Sequence, residues 1–133
     1  MYVSRVPLSV LLVEDEPDLV HVMSLSLTRA GFDVVSCGTG EEAVAVLAGQ
    51  DIDVMVVDRG LPDGDGLELV RRVRGDGFRG SVMVASGHSG IAHDEECREA
   101  GADEVLRKPF RLADLVARLN GIAGPQLDAA VCT

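Results

Sequence analysis

Val54-Met55-Val56-Val57-Asp58 is the stretch that decides the fold: four apolar residues stop on a carboxylate, and turn formers from Gly60 to Gly66 follow at once. Apolarity without alternation marks a strand buried on both faces, as in a parallel sheet covered by helices. Three more runs repeat the design. Val10-Leu11-Leu12-Val13 ends at Glu14-Asp15, Val82-Met83-Val84-Ala85 ends at Ser86, and the short Val105-Leu106 leads into Lys108-Pro109. Parallel strands all point one way, so their carboxyl ends share one edge, where open α/β folds bind ligands. Three acids, a hydroxyl and an ammonium are therefore expected to converge. Lys108 is the only lysine, against eleven arginines. That usage points to a need for a compact point charge at this place.

Helical segments alternate with the strands. After a first strand, Ser9–Glu14, Pro17 suits the first turn of a helix that turns Leu19, Met23 and Leu27 inward and stops at Gly31. Asp33–Cys37 reads as a second strand. Thr39 or Gly40 opens a helix with Ala43, Val44 and Leu47 inward and Gly49 as its stop. The loop from Arg59 to Gly66 leads into Leu67–Arg74, with Leu69, Val70 and Val73 inward, and Ser81–Ser86 is the fourth strand. Ile91–Ala100 is a helix with a thin apolar face of Ile91, Ala92, Cys97 and Ala100. Val105–Leu106 is a brief fifth strand, and Arg111–Gly121 is a last helix presenting Leu112, Leu115, Val116 and Leu119. Five β-α units with apolar strands predict a flavodoxin-like (βα)5 three-layer α/β sandwich. Right-handed crossovers leave few topologies open, and a five-stranded parallel sheet of the flavodoxin-like order 2-1-3-4-5 is expected. The domain is expected over residues 9–122, with an extension at 1–8 and, after Gly124-Pro125, a flexible tail at 123–133.

Composition narrows the function. At 133 residues and 47% hydrophobic, the chain can bury a core, and 3% aromatics make that core aliphatic. A net charge of −10 argues against a nucleic-acid surface. No run approaches the ~18 apolar residues of a membrane span, so the expected location is cytoplasmic, with no membrane contact. Cys37, Cys97 and Cys132 lack ligand-like spacing and read as reduced thiols. His21, His88 and His93 read as surface residues, Asp63 and Asp65 as loop residues, and Arg71-Arg72-Arg74 as a solvated helix face.

If the first and third strands are neighbours, Glu14, Asp15 and Asp58 repel one another unless a cation intervenes. Oxygen-only ligands suit Mg2+, or Mn2+. Lys108 adds a second positive group and Ser86 a hydroxyl donor. A metal, an ammonium and a hydroxyl around a carboxylate are the parts that phosphoryl transfer needs, since that reaction is mostly positioning and charge neutralisation.

The chain closely resembles the receiver domain of two-component response regulators, over about residues 9–122. The matching residues are Leu12-Val13-Glu14-Asp15-Glu16, Val57-Asp58 with Leu61-Pro62 and Asp65-Gly66, Ser86-Gly87, Gly101-Ala102-Asp103, and Lys108-Pro109-Phe110. The resemblance implies that Asp58 is the phosphoacceptor, taking its phosphoryl group from a phosphohistidine. It implies Mg2+ held by Asp15 and Asp58, by Glu14 through water and by the Gly60 carbonyl. Lys108 would pair with Asp58, Ser86 would bond a phosphoryl oxygen, and Lys108–Pro109 would be cis. The implied partners are a histidine kinase or phosphotransfer protein, a second copy in a phosphorylation-linked dimer, and a downstream protein. That last partner would bind the face made by the 91–100 helix, the Val105 strand and the Arg111–Gly121 helix. Such a module is not an enzyme beyond its own phosphorylation and dephosphorylation. It either stands alone or is part of a longer regulator or hybrid kinase.

Departures from the family matter as well. Where many receivers carry Tyr or Phe three residues before the lysine, this chain has Val105, so the aromatic half of the switch is replaced. Arg59, Gly60 and His88 line the entrance to the acceptor. The open Gly60 position predicts a short-lived phosphorylated state, and Arg59 could offer charge to a phosphodonor. The competing reading is an Mg-dependent phosphatase-like hydrolase with Asp58 as covalent nucleophile. Such enzymes place a second acid two residues on, where this chain has Gly60. A flavin binder is excluded by the acidic loop Glu14-Asp15-Glu16-Pro17, where a phosphate cradle needs donors.

Overall fold

The computed structural model describes residues 7–88 and 90–132. Five strands, β1 (Ser9–Val13), β2 (Asp33–Cys37), β3 (Val54–Asp58), β4 (Ser81–Ser86) and β5 (Glu104–Arg107), form one sheet in the order β2-β1-β3-β4-β5. Every neighbouring pair is parallel. The helices are α1 (Pro17–Arg29), α2 (Gly40–Gly49), α3 (Gly66–Gly75), α4 (Ile91–Ala100) and α5 (Leu112–Cys132). This is the flavodoxin-like sandwich and the strand order expected from the apolar runs.

Successive strand residues face opposite sides of the sheet, and the two sides have separate cores. Leu11, Val13, Met55, Val57, Val82 and Val84 pack under α2, α3 and α4, against Ala43, Leu69, Val70, Val73 and Cys97. Val10, Leu12, Val54, Val56 and Met83 pack under α1 and α5, against Met23, Leu27, Leu115 and Leu119. The fully apolar runs are explained by this double burial. Register pairs Val10 with Val54 and Asp58 with Ala85, so the chain emerges from β1, β3 and β4 at nearly one level.

Several local details depart from the sequence reading. Ile91 is 80% exposed and Ala92 is exposed too, although both were assigned to the inner face of α4. Helical spacing explains it: His93, Cys97 and Ala100 stand at i, i+4 and i+7, and Ile91 and Ala92 fall off that stripe. His93 is accordingly half-buried rather than a surface residue. Arg74 is not part of a solvated face. It donates to the carbonyls of Gly101 (3.0 Å), Phe78 (2.9 Å) and Gly80 (2.7 Å) and to Asp103 (3.0 Å), clipping α3 to the start of β4 and the end of α4. The loop after β3 folds into a short antiparallel ladder, Gly60–Leu61 with Gly64–Asp65. α5 continues helically past the Gly121 stop, through Gly124 and Pro125 to Cys132. Cys37 and Cys97 are free thiols. Residues 1–6 of the expected N-terminal extension, and the Cys132 side chain, lie outside the described residues.

Candidate functional site

The β1 end is locked first. Glu14 N–H donates to Cys37 O (3.0 Å), continuing the ladder to β2, and the Glu14 side chain is 5% exposed. Its Oε2 accepts the N–H groups of Asp15 (3.1 Å) and Glu16 (3.2 Å), while Oε1 lies 3.4 Å from Lys108 Nζ. Burial raises the Glu14 carboxyl above its ordinary value; the Glu16 N–H works against this and the charge of Asp58 adds to it.

Asp58 ends β3 half-buried. Its Oδ1 takes the Lys108 ammonium at 3.1 Å and the Gly60 N–H at 3.2 Å. The turn below it demands a glycine at position 66. A Cβ there would stand 2.5 Å from the Asp58 carbonyl oxygen and 2.9 Å from Arg59 Cα. Gly66 N–H also donates to Arg59 O (2.7 Å), so the chain doubles back tightly beneath the carboxylate.

Lys108 comes from the far side. It follows β5, and its backbone N–H donates to Ser86 O at 2.7 Å, which pins the ends of β4 and β5 together. The Lys108–Pro109 peptide is cis, as the resemblance implied. Burial works against the ammonium, but the Asp58 hydrogen bond and the charges of Asp58 and Glu14 outweigh it and raise its pKa. Lys108 therefore stays charged at neutral pH. Ser86 is 2% exposed, and its Oγ accepts the His88 N–H at 3.1 Å.

Asp15 is exposed at the rim. One carboxylate oxygen each from Glu14, Asp15 and Asp58 lie within 4.8 Å of one another, and this is the one such group found among the described residues. Three carboxylates face one ammonium, so the ionised cluster is left with a negative excess. All donors are oxygen. That chemistry fits a hard divalent cation such as Mg2+.

The remaining sequence candidates surround this cup. Gly60 is exposed and opens the short ladder, while His88 is exposed with its ring 5.8 Å from that of His93. Val105 is half-buried in β5, packed against the core under α2, α3 and α4. Arg59 faces other partners than a free entrance would suggest. Its guanidinium contacts Asp65 (Nε–Oδ1, 3.2 Å; Nη2–Oδ2, 3.3 Å), Glu96, and His93 Nδ1 (2.7 Å). Asp65 also caps α3 by accepting the Leu67 N–H at 3.0 Å.

Some supporting contacts escaped the sequence reading. Asp63 accepts the N–H groups of Gly40 (2.9 Å) and Glu41 (3.2 Å), capping α2 from the loop after β3. Thr39, the cap that sequence did suggest, accepts from Glu42 at 3.1 Å. The partnership of Arg59 with Glu96 and His93 also escaped it. A lone arginine and a charged helix carry no spacing signal that joins them.

Comparison with known proteins agrees with this geometry. The model of the response regulator receiver domain matches residues 10–120, and the chain belongs to that family. Among curated relatives, the transcriptional regulatory protein TrcR of Mycobacterium tuberculosis is 39% identical over 116 residues, covering 87% of this chain and 45% of TrcR. KdpE of the same species is 33% identical over 111 residues, covering 84% of this chain and 49% of KdpE. The chain thus spans about half the length of the curated relatives it matches. A putative response regulator from Chloroflexus aurantiacus has a TM-score of 0.80 and 29% identity, covering 90% of this chain and 99% of that one. A Francisella response regulator receiver domain has a TM-score of 0.84 at 24% identity, covering 89% and 98%; it speaks to the fold alone. The protein is a receiver domain of the two-component type. Among the described residues, no helix is long and apolar enough to cross a membrane.

Proposed function

We propose that this receiver domain accepts a phosphoryl group on Asp58 from the phosphohistidine of a histidine kinase or phosphotransfer protein, and that the aspartyl phosphate alters a protein-binding face. The carrying observation is the placement of Lys108 Nζ, 3.1 Å from Asp58 and 3.4 Å from Glu14. A carboxylate oxygen of Asp58 attacks phosphorus; the P–N bond breaks, its electron pair returns to the imidazole nitrogen, and the imidazole takes up a proton. Lys108 and the Gly60 N–H hold Asp58 Oδ1, which fixes the carboxylate plane for attack. As negative charge gathers on the transferring oxygens, Lys108 lies beside them without reorganisation. Ser86, buried at the β4 end, would donate its hydroxyl to a phosphoryl oxygen. Glu14, Asp15 and Asp58, with the Gly60 carbonyl, would hold Mg2+, which when bound would offset the charge of the carboxylates and of the incoming phosphoryl oxygens.

The output face in this reading is α4, β5 and α5, for a downstream protein or a second copy. Arg118 lies on it, donating to Val105 O at 3.2 Å. Exchange of Ala for Arg111 or Arg118 is expected to weaken partner binding without altering phosphoryl uptake. The test of the central role is incubation with acetyl phosphate and Mg2+, followed on phosphate-affinity gels. Stoichiometric, Mg-dependent modification lost in Asp58→Asn supports the reading. Multiple turnover on varied phosphoesters would instead mark a hydrolase.

A further inference from the structure

Arg59 leaves β3 directly after Asp58 and reaches two other elements: Asp65, the cap of α3, and the pair His93 and Glu96 on α4. A guanidinium has only donors, so His93 Nδ1 is the acceptor. The ring proton then sits on Nε2, 3.6 Å from Cys97 Sγ. One side chain thereby joins α4 to both segments that flank the acceptor.

Among the described residues, α4 has little else to hold its beginning. Its N-cap is Gly90, with no side-chain cap, and its buried residues are Cys97 and Ala100, both in the second half. Asp58, Lys108, Arg59, His93 and Glu96 line one cleft. Two carboxylates, Asp65 and Glu96, share the single guanidinium, and Lys108 already faces two more. A phosphoryl group on Asp58 would put about two negative charges where the carboxylate carries one, and three acceptor oxygens, into that cleft. The planar fork of arginine matches such oxygens better than it matches an imidazole edge. Glu96 is half-exposed, so water replaces its lost partner cheaply.

We propose that Arg59 is a positioning residue that latches the first half of α4 over the cleft, and that a phosphoryl group on Asp58 draws the guanidinium from Glu96 and His93 and frees the helix. The latch stands on the unphosphorylated geometry alone; its release rests on the proposed role of Asp58.

Amide hydrogen exchange of the full chain tests both parts. Without ligand, Arg59→Gln should speed exchange over Ile91–Ala100 by about tenfold, Glu96→Ala should give much of that effect, and α1 and α5 should be unchanged. Equal α4 protection in wild type and Arg59→Gln overturns the latch. So does equal acceleration of α1, α4 and α5 in both variants, which would mean a loosened fold. Mg2+ with beryllofluoride, an acyl phosphate mimic, should raise wild-type α4 exchange to the Arg59→Gln level and add nothing in Arg59→Gln. An additional rise of equal size in Arg59→Gln overturns the release. Absence of beryllofluoride binding by fluorine NMR counts against Asp58 as acceptor and against the release, while the ligand-free arm still decides the latch.

Discussion

Lys108 and Asp58 lie fifty positions apart in the chain, yet their heads meet at 3.1 Å because β3, β4 and β5 run parallel and end together. The same ammonium stands 3.4 Å from Glu14, so one cation addresses the ends of β1 and β3 at once. A guanidinium would be wider and planar, and would not set the same compact charge between these two strand ends.

Removal of this charge should cost function more than fold. Lys108→Ala is expected to slow phosphoryl uptake from acetyl phosphate by about a hundredfold, the order found when one preorganised charge donor is lost. The far-ultraviolet spectrum should stay that of wild type. Uptake within a few-fold of wild type would show that Lys108 is a bystander.

Gly66→Ala should act on both stability and site. The added methyl meets the Asp58 and Arg59 backbone, which cannot yield as a flexible side chain could. A loss of roughly 1–3 kcal/mol is expected from such overpacking, together with weaker Mg2+ binding, since the backbone carrying Asp58 must shift. Urea unfolding and a metal titration by NMR read the two effects.

Arg74→Ala should separate stability from function. Three backbone carbonyls lose their side-chain donor, Asp103 keeps only the Val82 N–H, and the stacking of Arg74 over Phe78 at 5.6 Å is lost. The expected cost is about 2–3 kcal/mol, as for hydrogen bonds to a charged group. Phosphoryl uptake should be unchanged, because the clip sits at the opposite end of the sheet from Asp58.

Asp65 sets an acid dependence. Burial would raise its carboxyl, but the Leu67 N–H and the Arg59 guanidinium outweigh this and leave it below its ordinary value near 3.8. A depressed folded pKa means that the group stabilises fully above its unfolded pKa and loses that contribution as pH falls through the folded value. Wild type should therefore exceed Asp65→Asn in unfolding free energy at pH 6, and the gap should begin to shrink below about pH 4 and close only as pH falls through the lowered folded value. A gap independent of pH would remove ionisation of Asp65 from the account.

Particular residues show why the fold could be read early and part of the site could not. Val54–Val57 and Val10–Val13 are buried on both faces, so their uninterrupted apolarity announced a covered parallel sheet. Glu14, Asp15, Asp58, Ser86 and Lys108 each follow such a run within two residues, and parallel topology alone gathers them. The Arg74 clip, the Asp63 cap and the Arg59 cluster depend on tertiary approach between loops and helices. Their residue types occur on any solvated face. Ile91 differs for a simpler reason: it is hydrophobic but lies off the helical period of the buried stripe. The end of α5 differs from the sequence expectation, since Gly121 and Pro125 signal a stop and the helix runs to Cys132.

The most direct test is borohydride trapping after brief treatment with acetyl phosphate and Mg2+, followed by peptide mass mapping. Reduction of an aspartyl phosphate leaves homoserine, and the expected result is homoserine at position 58 alone, absent when EDTA replaces Mg2+. Homoserine at another aspartate, or phosphate retained on His21, His88 or His93 with position 58 unmodified, would contradict the assignment of Asp58 as the acceptor.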